Sequence, residues 1–252
     1  MAIENLLNKV NKIVIKLGTA AITKKDESIN YDTIHTIARS CHELLDMKKS
    51  VSIVTSGAIA CGRGKTKSYS STNNNEMLSA IGQPILMQAY IDSFSKYGIN
   101  VGQILLTSHD FDSRKSLGLL WETFSELQHH KDIPIINEND AIATEEITFG
   151  DNDFLASNVT VDLGQDMLLI LTVYDNLIGK GYNALERGTS FDVNDYVDLS
   201  DEVRRGGSGG LTSKLNAVKK CVDNGKICRI GNVGNGIIST LSGKSPSTTF
   251  YP

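Results

Sequence analysis

A glycine-rich run that ends in lysine is the strongest chemical signal in the sequence. It reads Gly-Ser-Gly-Gly-Leu-Thr-Ser-Lys over residues 207–214 and leads into a predicted helix. Glycines let the backbone approach an anion closely, and the N–H groups that open a helix point toward it. In a Walker A loop lysine follows glycine directly, whereas here Leu-Thr-Ser intervenes before Lys214. The run therefore predicts a phosphate site of another kind, with a flexible surface linker as the alternative.

A second lysine, Lys16, stands near the end of an apolar strand and is followed by Gly18 and Thr19. Burying an ammonium group is costly unless an anion meets it. Two lysines on separate elements could clamp a polyphosphate, and phosphoryl transfer depends mainly on positioning and charge neutralisation. The alternative is a lysine at a sheet edge whose ammonium group reaches back to solvent.

Carboxylates and amides form a third group. Asn-Glu-Asn-Asp occupies residues 137–140, and Gly-Asp-Asn-Asp at 150–153 brings Asp153 thirteen residues after Asp140. Such side chains could bind an α-amino group, hold Mg²⁺ or orient the lysines. Ordinary turn chemistry is the alternative, because Asn and Asp are common in turns. The second run does not match an EF-hand loop.

Alternating strands and helices must position these groups. Apolar runs predict strands at residues 12–18, 51–56, 101–106, 133–136 and 167–172. Helical spacing predicts helices at residues 31–49, 85–97, 114–130 and 211–224, the last capped by Gly225, and a polar surface loop at 68–75. This order predicts an α/β fold, a three-layer αβα sandwich with a mainly parallel central sheet.

Polar clusters follow four of the predicted strands: residues 16–19, 55–57, 137–140 and the loop after Thr172. In open α/β sheets, ligands bind outside the carboxyl ends of the strands. The clusters therefore predict a single ligand site along that edge.

Composition narrows the functional classes. The chain has 252 residues, 40% of them hydrophobic, which suits one large α/β domain or two tightly joined lobes. A net charge of −4 argues against a nucleic-acid surface, and no apolar run has the length of a signal peptide or membrane span. We therefore expect a cytoplasmic protein without nucleic-acid or membrane partners. The four cysteines form no CxxC pair, which favours reduced thiols in the core over a zinc site.

Six blocks occur in a characteristic order. They are Ile-Lys-Leu-Gly-Thr at 15–19, Val-Thr-Ser-Gly-Ala-Ile-Ala at 54–60, Ala-Ile-Gly-Gln at 80–83, Asn-Glu-Asn-Asp-Ala at 137–141, Phe-Gly-Asp-Asn-Asp at 149–153 and Gly-Ser-Gly-Gly-Leu-Thr-Ser-Lys at 207–214. From about residue 12 to the C-terminus, the chain resembles the glutamate 5-kinases of the amino acid kinase family.

That resemblance implies ATP-dependent phosphorylation of the γ-carboxylate of L-glutamate, the first step of proline biosynthesis, with Mg²⁺ accompanying ATP. Lys16 and Lys214 would stabilise the transferring phosphoryl group, and Asp153 would hold their ammonium groups. The substrate-binding residues would be Ser56, Gly57, Ala58, Asn137, Asp140 and Asn152. The nucleotide-binding residues would be Lys16, Gly18, Thr172, Val173, Ser208, Gly209, Gly210, Leu211, Thr212, Ser213 and Lys214.

The resemblance also implies a homo-oligomer, dimer or tetramer, with proline as feedback inhibitor and channelling to glutamate-5-semialdehyde dehydrogenase. It implies one kinase domain over residues 1–252, with an amino-acid lobe at about 1–160 and a nucleotide lobe at 161–252. Many members of the family also carry a C-terminal PUA domain, and we expect this chain to be the short form without one. One departure concerns the loop after Thr172, where the family commonly has Thr-Asp and this chain has Thr-Val-Tyr-Asp. Nucleotide contacts in that loop, including any by Asp175, are left open.

Two alternatives stay open at this point. Related kinases that act on acetylglutamate, aspartate, uridylate, carbamate or isopentenyl phosphate share the fold and the lysines. A non-catalytic amino-acid or nucleotide sensor could also keep the fold, since fold alone does not determine function. Lys16, Asp153 and Lys214 together favour a kinase, because a sensor has no need of lysines that act in transfer.

Overall fold

The computed structural model describes residues 5–66, 74–142, 152–174 and 211–252. The strands are β1 Lys12–Leu17, β2 Ser50–Thr55, β3 Val101–Leu106, β4 Ile133–Glu138, β5 Met167–Thr172, β6 Ile227–Asn232 and β7 Ser247–Phe250. The helices are α1 Thr19–Ile22, α2 Tyr31–Asp46, α3 Ala58–Lys65, α4 Asn75–Phe94, α5 His109–Asp112, α6 Arg114–His129, α7 Asn152–Asp162, α8 Leu211–Asp223 and α9 Ile237–Leu241. Short 3₁₀ turns lie at Leu6–Asn8, Ser95–Tyr97 and Val233–Asn235.

The strands form one sheet in the order β3-β4-β2-β1-β5-β6-β7. The described strand pairs are parallel except for β6 with β7, which is antiparallel. The predicted α/β fold with a mainly parallel sheet is therefore confirmed. Lys16 pairs with Val54 on one side and Ile170 on the other, so it lies in the middle of the sheet. The alternative of a lysine at a sheet edge is wrong.

Each face of the sheet is covered by a helical layer with its own core. Successive side chains of a strand point to opposite faces. Ile13 and Ile15 of β1 accordingly pack with α2, α3 and α4, and we call this the α2–α4 face. Val14, between them, packs with α6, α7 and α8 on the opposite side, the α7–α8 face. Burial on both faces explains why the central strands read as nearly continuous apolar runs.

Helix α4 begins ten residues before the predicted start at residue 85, and this prediction was wrong. The side chain of Asn74 caps the helix by accepting the Met77 N–H at 2.6 Å. Residues 74 and 75 therefore do not belong to the predicted surface loop, and residues 67–73 lie outside the described part. The polar run was misread because Asn and Glu at a helix start look like loop residues.

Two glycines let α3 and α4 pack backbone against backbone. A Cβ atom on Gly82 would lie 1.8 Å from the carbonyl oxygen of Ala58, and one on Gly62 would lie 1.9 Å from that of Leu78. Neither position accepts a side chain without moving a helix. The contact holds the first turn of α3 beside the middle of α4, next to Gln83.

Strands β6 and β7 were not predicted. Their region contains Arg229, a fully buried residue that breaks the apolar pattern of β6. Its guanidinium donates to the Thr249 hydroxyl at 2.7 Å and to the carbonyl oxygens of Thr240 and Leu241 at 2.7 and 3.0 Å. Carbonyls at the end of α9 thus satisfy a charge that sequence reading treats as exposed.

The predicted location of the four cysteines in the core is confirmed. Cys41, Cys61, Cys221 and Cys228 are buried free thiols. Burial raises the pKa of Cys61 to about 11, so this thiol stays protonated at neutral pH. Among the described helices, none combines the length and apolar character needed to cross a bilayer.

Candidate active site

The four polar clusters follow four neighbouring strands. Strands β4, β2, β1 and β5 are consecutive in the sheet and parallel, so their carboxyl ends share one edge. This arrangement brings the predicted groups side by side. The site divides into a charged end on the α7–α8 face and an amide-rich end on the α2–α4 face.

At the charged end, one carboxylate bridges two lysines. Asp153, in the first turn of α7, has an oxygen 2.5 Å from Lys16 Nζ. Its other oxygen lies 3.0 Å from Nζ of Lys214, in the first turn of α8. The side chains of Lys16, Asp153 and Lys214 are 4%, 0% and 14% exposed. We call these three residues the lysine cluster.

The lysine cluster carries more positive than negative charge. Burial by itself raises the pKa of Asp153, but the ammonium groups of Lys16 and Lys214 outweigh that effect and hold the pKa below its usual range. Among these three side chains, two ammonium groups face one carboxylate. Two ammonium groups held close together attract a further anion. The cluster is therefore suited to an anionic group brought by a ligand.

Helix packing places Lys214 within reach of Asp153. Further along α8, Lys220 contacts the Asn158 side-chain oxygen on α7. Its ammonium nitrogen also lies 4.9 Å from the centroid of the Phe154 ring, within cation–π range. These contacts join α7 and α8 beyond the first turn. Because Asp153 lies inside α7, the turn interpretation of Asp153 is wrong.

At the amide-rich end, Asn152 ties the ends of β2 and β4 to the start of α7. Its Nδ2 lies 2.9 Å from the carbonyl oxygen of Thr55, from Ser56 Oγ and from Asn137 Oδ1. Three residues predicted to bind substrate, Ser56, Asn137 and Asn152, are therefore in direct contact. Since Asn152 immediately precedes Asp153, the two ends of the site adjoin.

Two residues that sequence reasoning did not assign support this end from α4. Gln83 is 8% exposed and accepts a hydrogen bond from Asn137 Nδ2 at 2.8 Å. The buried Tyr90 hydroxyl lies 2.8 Å from Thr55 Oγ1, next to Ser56. Gln83 belongs to the block at 80–83, which was a usable signal. No sequence signal marked Tyr90 as part of the site, because its position is typical of a core aromatic residue.

Gly57 and Ala58 begin α3 at the same edge. Gly57 has φ of 103°, a left-handed conformation that favours glycine, and it precedes the first helical turn. Ala58 is buried. This geometry turns the chain sharply after β2, so that the first N–H groups of α3 lie beside the amide-rich end.

Asp140 lies in the turn after β4 and is half-buried. Burial is the main cause that raises the pKa of its carboxyl group to about 6, and the nearby Glu76 carboxylate adds to the shift. The described residues thus do little to compensate the negative charge of the ionised Asp140 carboxylate. A ligand with an ammonium group would supply that compensation.

The residues predicted for nucleotide binding are only partly described. Thr172 ends β5, and its hydroxyl forms two hydrogen bonds with the backbone of Tyr174, at 3.0 and 3.1 Å. Val173 is 41% exposed, and Gly18 lies close to Lys16 Nζ. Within α8, Thr212 is exposed and Ser213 is half-buried, while Leu211 begins the helix. Ser208, Gly209, Gly210 and Asp175 lie outside the described residues.

Comparison with known proteins identifies the family of this chain. The model of the amino acid kinase family matches residues 11–232. The chain is 34% identical to glutamate 5-kinase of Clostridium acetobutylicum over 260 aligned positions, covering 99% of this chain and 97% of that protein. It is also 34% identical to glutamate 5-kinase of Caldanaerobacter subterraneus subsp. tengcongensis, covering 96% of this chain and 68% of that longer protein.

Solved structures share the fold at low sequence identity. UMP kinase from Ureaplasma parvum superposes with a TM-score of 0.63 at 15% identity, covering 97% of this chain and 100% of that one. Carbamate kinase from Giardia lamblia bound to AMP-PNP has a TM-score of 0.66 at 14% identity, covering 96% and 99%.

The parallel sheet, the family match and the structural neighbours define a class of phosphotransferase: the chain belongs to the amino acid kinase family. Within that family, its similar curated relatives are glutamate 5-kinases.

Proposed function

We propose that the chain transfers the γ-phosphoryl group of ATP to the γ-carboxylate of L-glutamate, giving L-glutamyl 5-phosphate and ADP in the first step of proline biosynthesis. The observation that carries this proposal is the junction of the lysine cluster with the amide-rich end at Asn152 and Asp153. The relatives' names support glutamate as the acceptor. They do not favour the other kinases of the family or a sensor.

The amide-rich end binds glutamate. Ser56 and Asn152 offer polar atoms beside the first turn of α3, where the backbone of Gly57 and Ala58 receives a carboxylate. Asp140 receives the α-ammonium group, since a bound ammonium group supplies the counter-charge that favours its ionised carboxylate. Asn137 holds Asn152 in place through their 2.9 Å hydrogen bond.

The lysine cluster promotes transfer. A γ-carboxylate has a reference pKa of about 4.3, so it is ionised at neutral pH and needs no general base. One of its oxygens attacks the γ-phosphorus of ATP, while the bond from that phosphorus to the β-phosphate bridging oxygen breaks and ADP leaves. The barrier is the repulsion between two anions. Lys16 and Lys214 reduce that repulsion through their positive charge, and Asp153 holds the two ammonium groups close together.

The nucleotide binds along β5, α8 and the glycine-rich run at 207–214. Residues Lys16, Gly18, Thr172, Val173 and 208–214 remain our proposal for this site. Mg²⁺ enters with the ATP phosphates, the usual way in which this ion binds to kinases. Asp153 is engaged with two lysines, and the described residues contain no group of three acidic, His or Cys side chains for a metal. We therefore assign no described residue to Mg²⁺.

Three properties complete the proposal. The chain forms a homo-oligomer, dimer or tetramer, which light scattering would contradict by reporting a monomer of about 27.4 kDa. Proline competes with glutamate, so millimolar proline raises the apparent glutamate KM, and a partial deletion within 70–74 weakens inhibition more than catalysis. The labile acyl phosphate passes to glutamate-5-semialdehyde dehydrogenase by channelling.

A coupled ADP-release assay tests the reaction with L-glutamate, L-aspartate, N-acetylglutamate and UMP as acceptors. We expect the highest kcat/KM for glutamate. Hydroxylamine converts an acyl phosphate to a hydroxamate, so a glutamate-dependent hydroxamate identifies the carboxylate as the acceptor. A higher kcat/KM with any other acceptor would contradict the proposal.

A further inference from the structure

Three side-chain amides form a hydrogen-bonded chain through the amide-rich end: Gln83, Asn137 and Asn152. Asn137 is the middle member. Its Oδ1 accepts the backbone N–H of Glu138 at 2.9 Å, and a backbone N–H can only donate. Asn137 Nδ2 must therefore be the donor to Gln83, which presents Oε1 at 2.8 Å. This pairing turns Gln83 Nε2 away from Asn137.

The orientation of Asn152 is determined in the same way. Its Nδ2 lies 2.9 Å from the carbonyl oxygen of Thr55, which can only accept. Asn152 Oδ1 is left over at this end of the chain, as Gln83 Nε2 is at the other. Both atoms are buried, and neither has a hydrogen-bond partner among the described residues. Buried polar atoms normally form hydrogen bonds, so the donor Gln83 Nε2 and the acceptor Asn152 Oδ1 are available to a ligand at the two ends of this chain of amides.

We propose that these amides recognise a zwitterionic amino acid, with Gln83 Nε2 donating to its α-carboxylate and Asn152 Oδ1 accepting from its α-ammonium group. Gln83 thus becomes a substrate-binding residue, one with no role assigned from the sequence. The inference rests on the proposed function, because it concerns how glutamate is held in that same site.

The faces of the sheet determine which carboxylate meets Gln83. Asn137 alternates with Ile136, so it points to the α2–α4 face, where α4 carries Gln83. Lys16 points to the opposite face, toward Asp153. The γ-carboxylate must reach the lysine cluster to receive the phosphoryl group. The α-carboxylate is therefore the end of the substrate that lies toward Gln83.

A charge reversal in the donor tests this assignment. In Gln83→Glu, one carboxylate oxygen still accepts from Asn137, while the other repels a carboxylate and accepts from an amide. The probe substrate is L-isoglutamine, which keeps the γ-carboxylate of glutamate but has an α-amide. We expect the ratio of kcat/KM for glutamate over isoglutamine to fall by about 10-fold to 100-fold, the range for a hydrogen bond to a charged group. The KM for ATP should stay within about twofold, since the nucleotide lies at the other end.

Gln88→Glu is the matched control. Gln88 lies on the same helix, is exposed, and bonds to Asp92 at 2.7 Å. It should leave the substrate ratio unchanged. Loss of activity toward both substrates with an unchanged ratio in Gln83→Glu would overturn the assignment and leave Gln83 a structural residue.

A wild-type chain that releases no ADP with glutamate would contradict the proposed function separately. Calorimetric titration of L-glutamate and L-aspartate then decides the inference. Binding of either zwitterion that weakens at least tenfold in Gln83→Glu supports it. Unaltered affinity, or no binding to the wild type, overturns it.

Discussion

The two ends of the site hold their groups by different physical means. In the lysine cluster, ion pairs of 2.5 and 3.0 Å hold two ammonium groups around one carboxylate. At the amide-rich end, Asn152 and Asn137 are neutral, and backbone groups orient them. The Coulomb interaction between charges acts over several ångströms, whereas the hydrogen bonds of neutral amides depend on the direction of the donor and the acceptor.

This difference separates two functions within one small site. As the anionic acceptor approaches the phosphoryl group, negative charge also develops on the leaving oxygen of ADP, so preorganised ammonium groups stabilise the transition state more than the bound substrates. The amino-acid end does not change during transfer, so its contacts contribute equally before and during the reaction. Variants at the lysine cluster should therefore lower kcat, and variants at the amide-rich end should raise the glutamate KM.

The largest effect is expected from removing either lysine. Lys16→Ala and Lys214→Ala should each lower kcat by about 10²-fold to 10⁴-fold, the range for losing one preorganised charge contact, with little change in glutamate KM. Steady-state ADP release measures both constants. Lys219→Ala is the matched control, since Lys219 lies on the same helix as Lys214 and its ammonium group pairs with the exposed carboxylate of Asp223. An unchanged kcat in Lys214→Ala would remove that residue from the transfer step.

Removing the carboxylate at the other end should give the opposite signature. Asp140→Ala should raise the glutamate KM by about 10-fold to 100-fold through loss of a charged partner for the ammonium group, with ATP affinity nearly unchanged. Calorimetry with each ligand measures the two affinities. An equal loss of ATP and glutamate affinity would indicate a metal role for Asp140 and would break the comparison between the two ends.

The pH dependence of glutamate binding should report the same carboxylate. Because the pKa of Asp140 is raised to about 6, the Asp140 carboxylate of the free enzyme becomes protonated as pH falls through that value. Glutamate KM should be flat above pH 7 and rise about tenfold per pH unit well below 6. In Glu76→Gln the pKa of Asp140 should fall by part of the shift, since burial, the larger cause, remains. The pH at which the glutamate KM begins to rise should then be lower. An unchanged pH would show that a group other than Asp140 titrates.

The smallest effect is expected from the hydroxyl behind the amide-rich end. Tyr90→Phe removes the 2.8 Å hydrogen bond to Thr55, which precedes Ser56. Loss of such a bond lowers the free energy of unfolding by about 1 kcal/mol and should raise glutamate KM only a few-fold, with kcat intact. Thermal unfolding and initial rates measure these quantities, and Tyr31→Phe, at an exposed tyrosine, is the control. A large fall in kcat would show that the two ends are coupled more tightly than their separate contacts suggest.

Much of the scaffold was readable from local pattern. The strand that carries Lys16 and the strand that precedes Ser56 are apolar runs, and their ends mark the functional edge of the sheet. The glycine-rich run identified Lys214 as a charge near the start of a helix. These signals are local, because hydrophobic periodicity and turn chemistry are set by neighbours in the chain.

The sequence by itself determined strands β1 to β5, helices α2, α6 and α8, and which polar residues stand at the ends of those strands. Only the tertiary structure decided the pairings, because the partners lie far apart in the chain. Gln83 meets Asn137 across 54 positions, Asn152 meets Thr55 across 97, and Lys214 meets Asp153 across 61. Burying Arg229 within a strand likewise required carbonyls from α9. Hydrogen bonds and ion pairs depend on distance and direction in space, and chain packing alone supplies both.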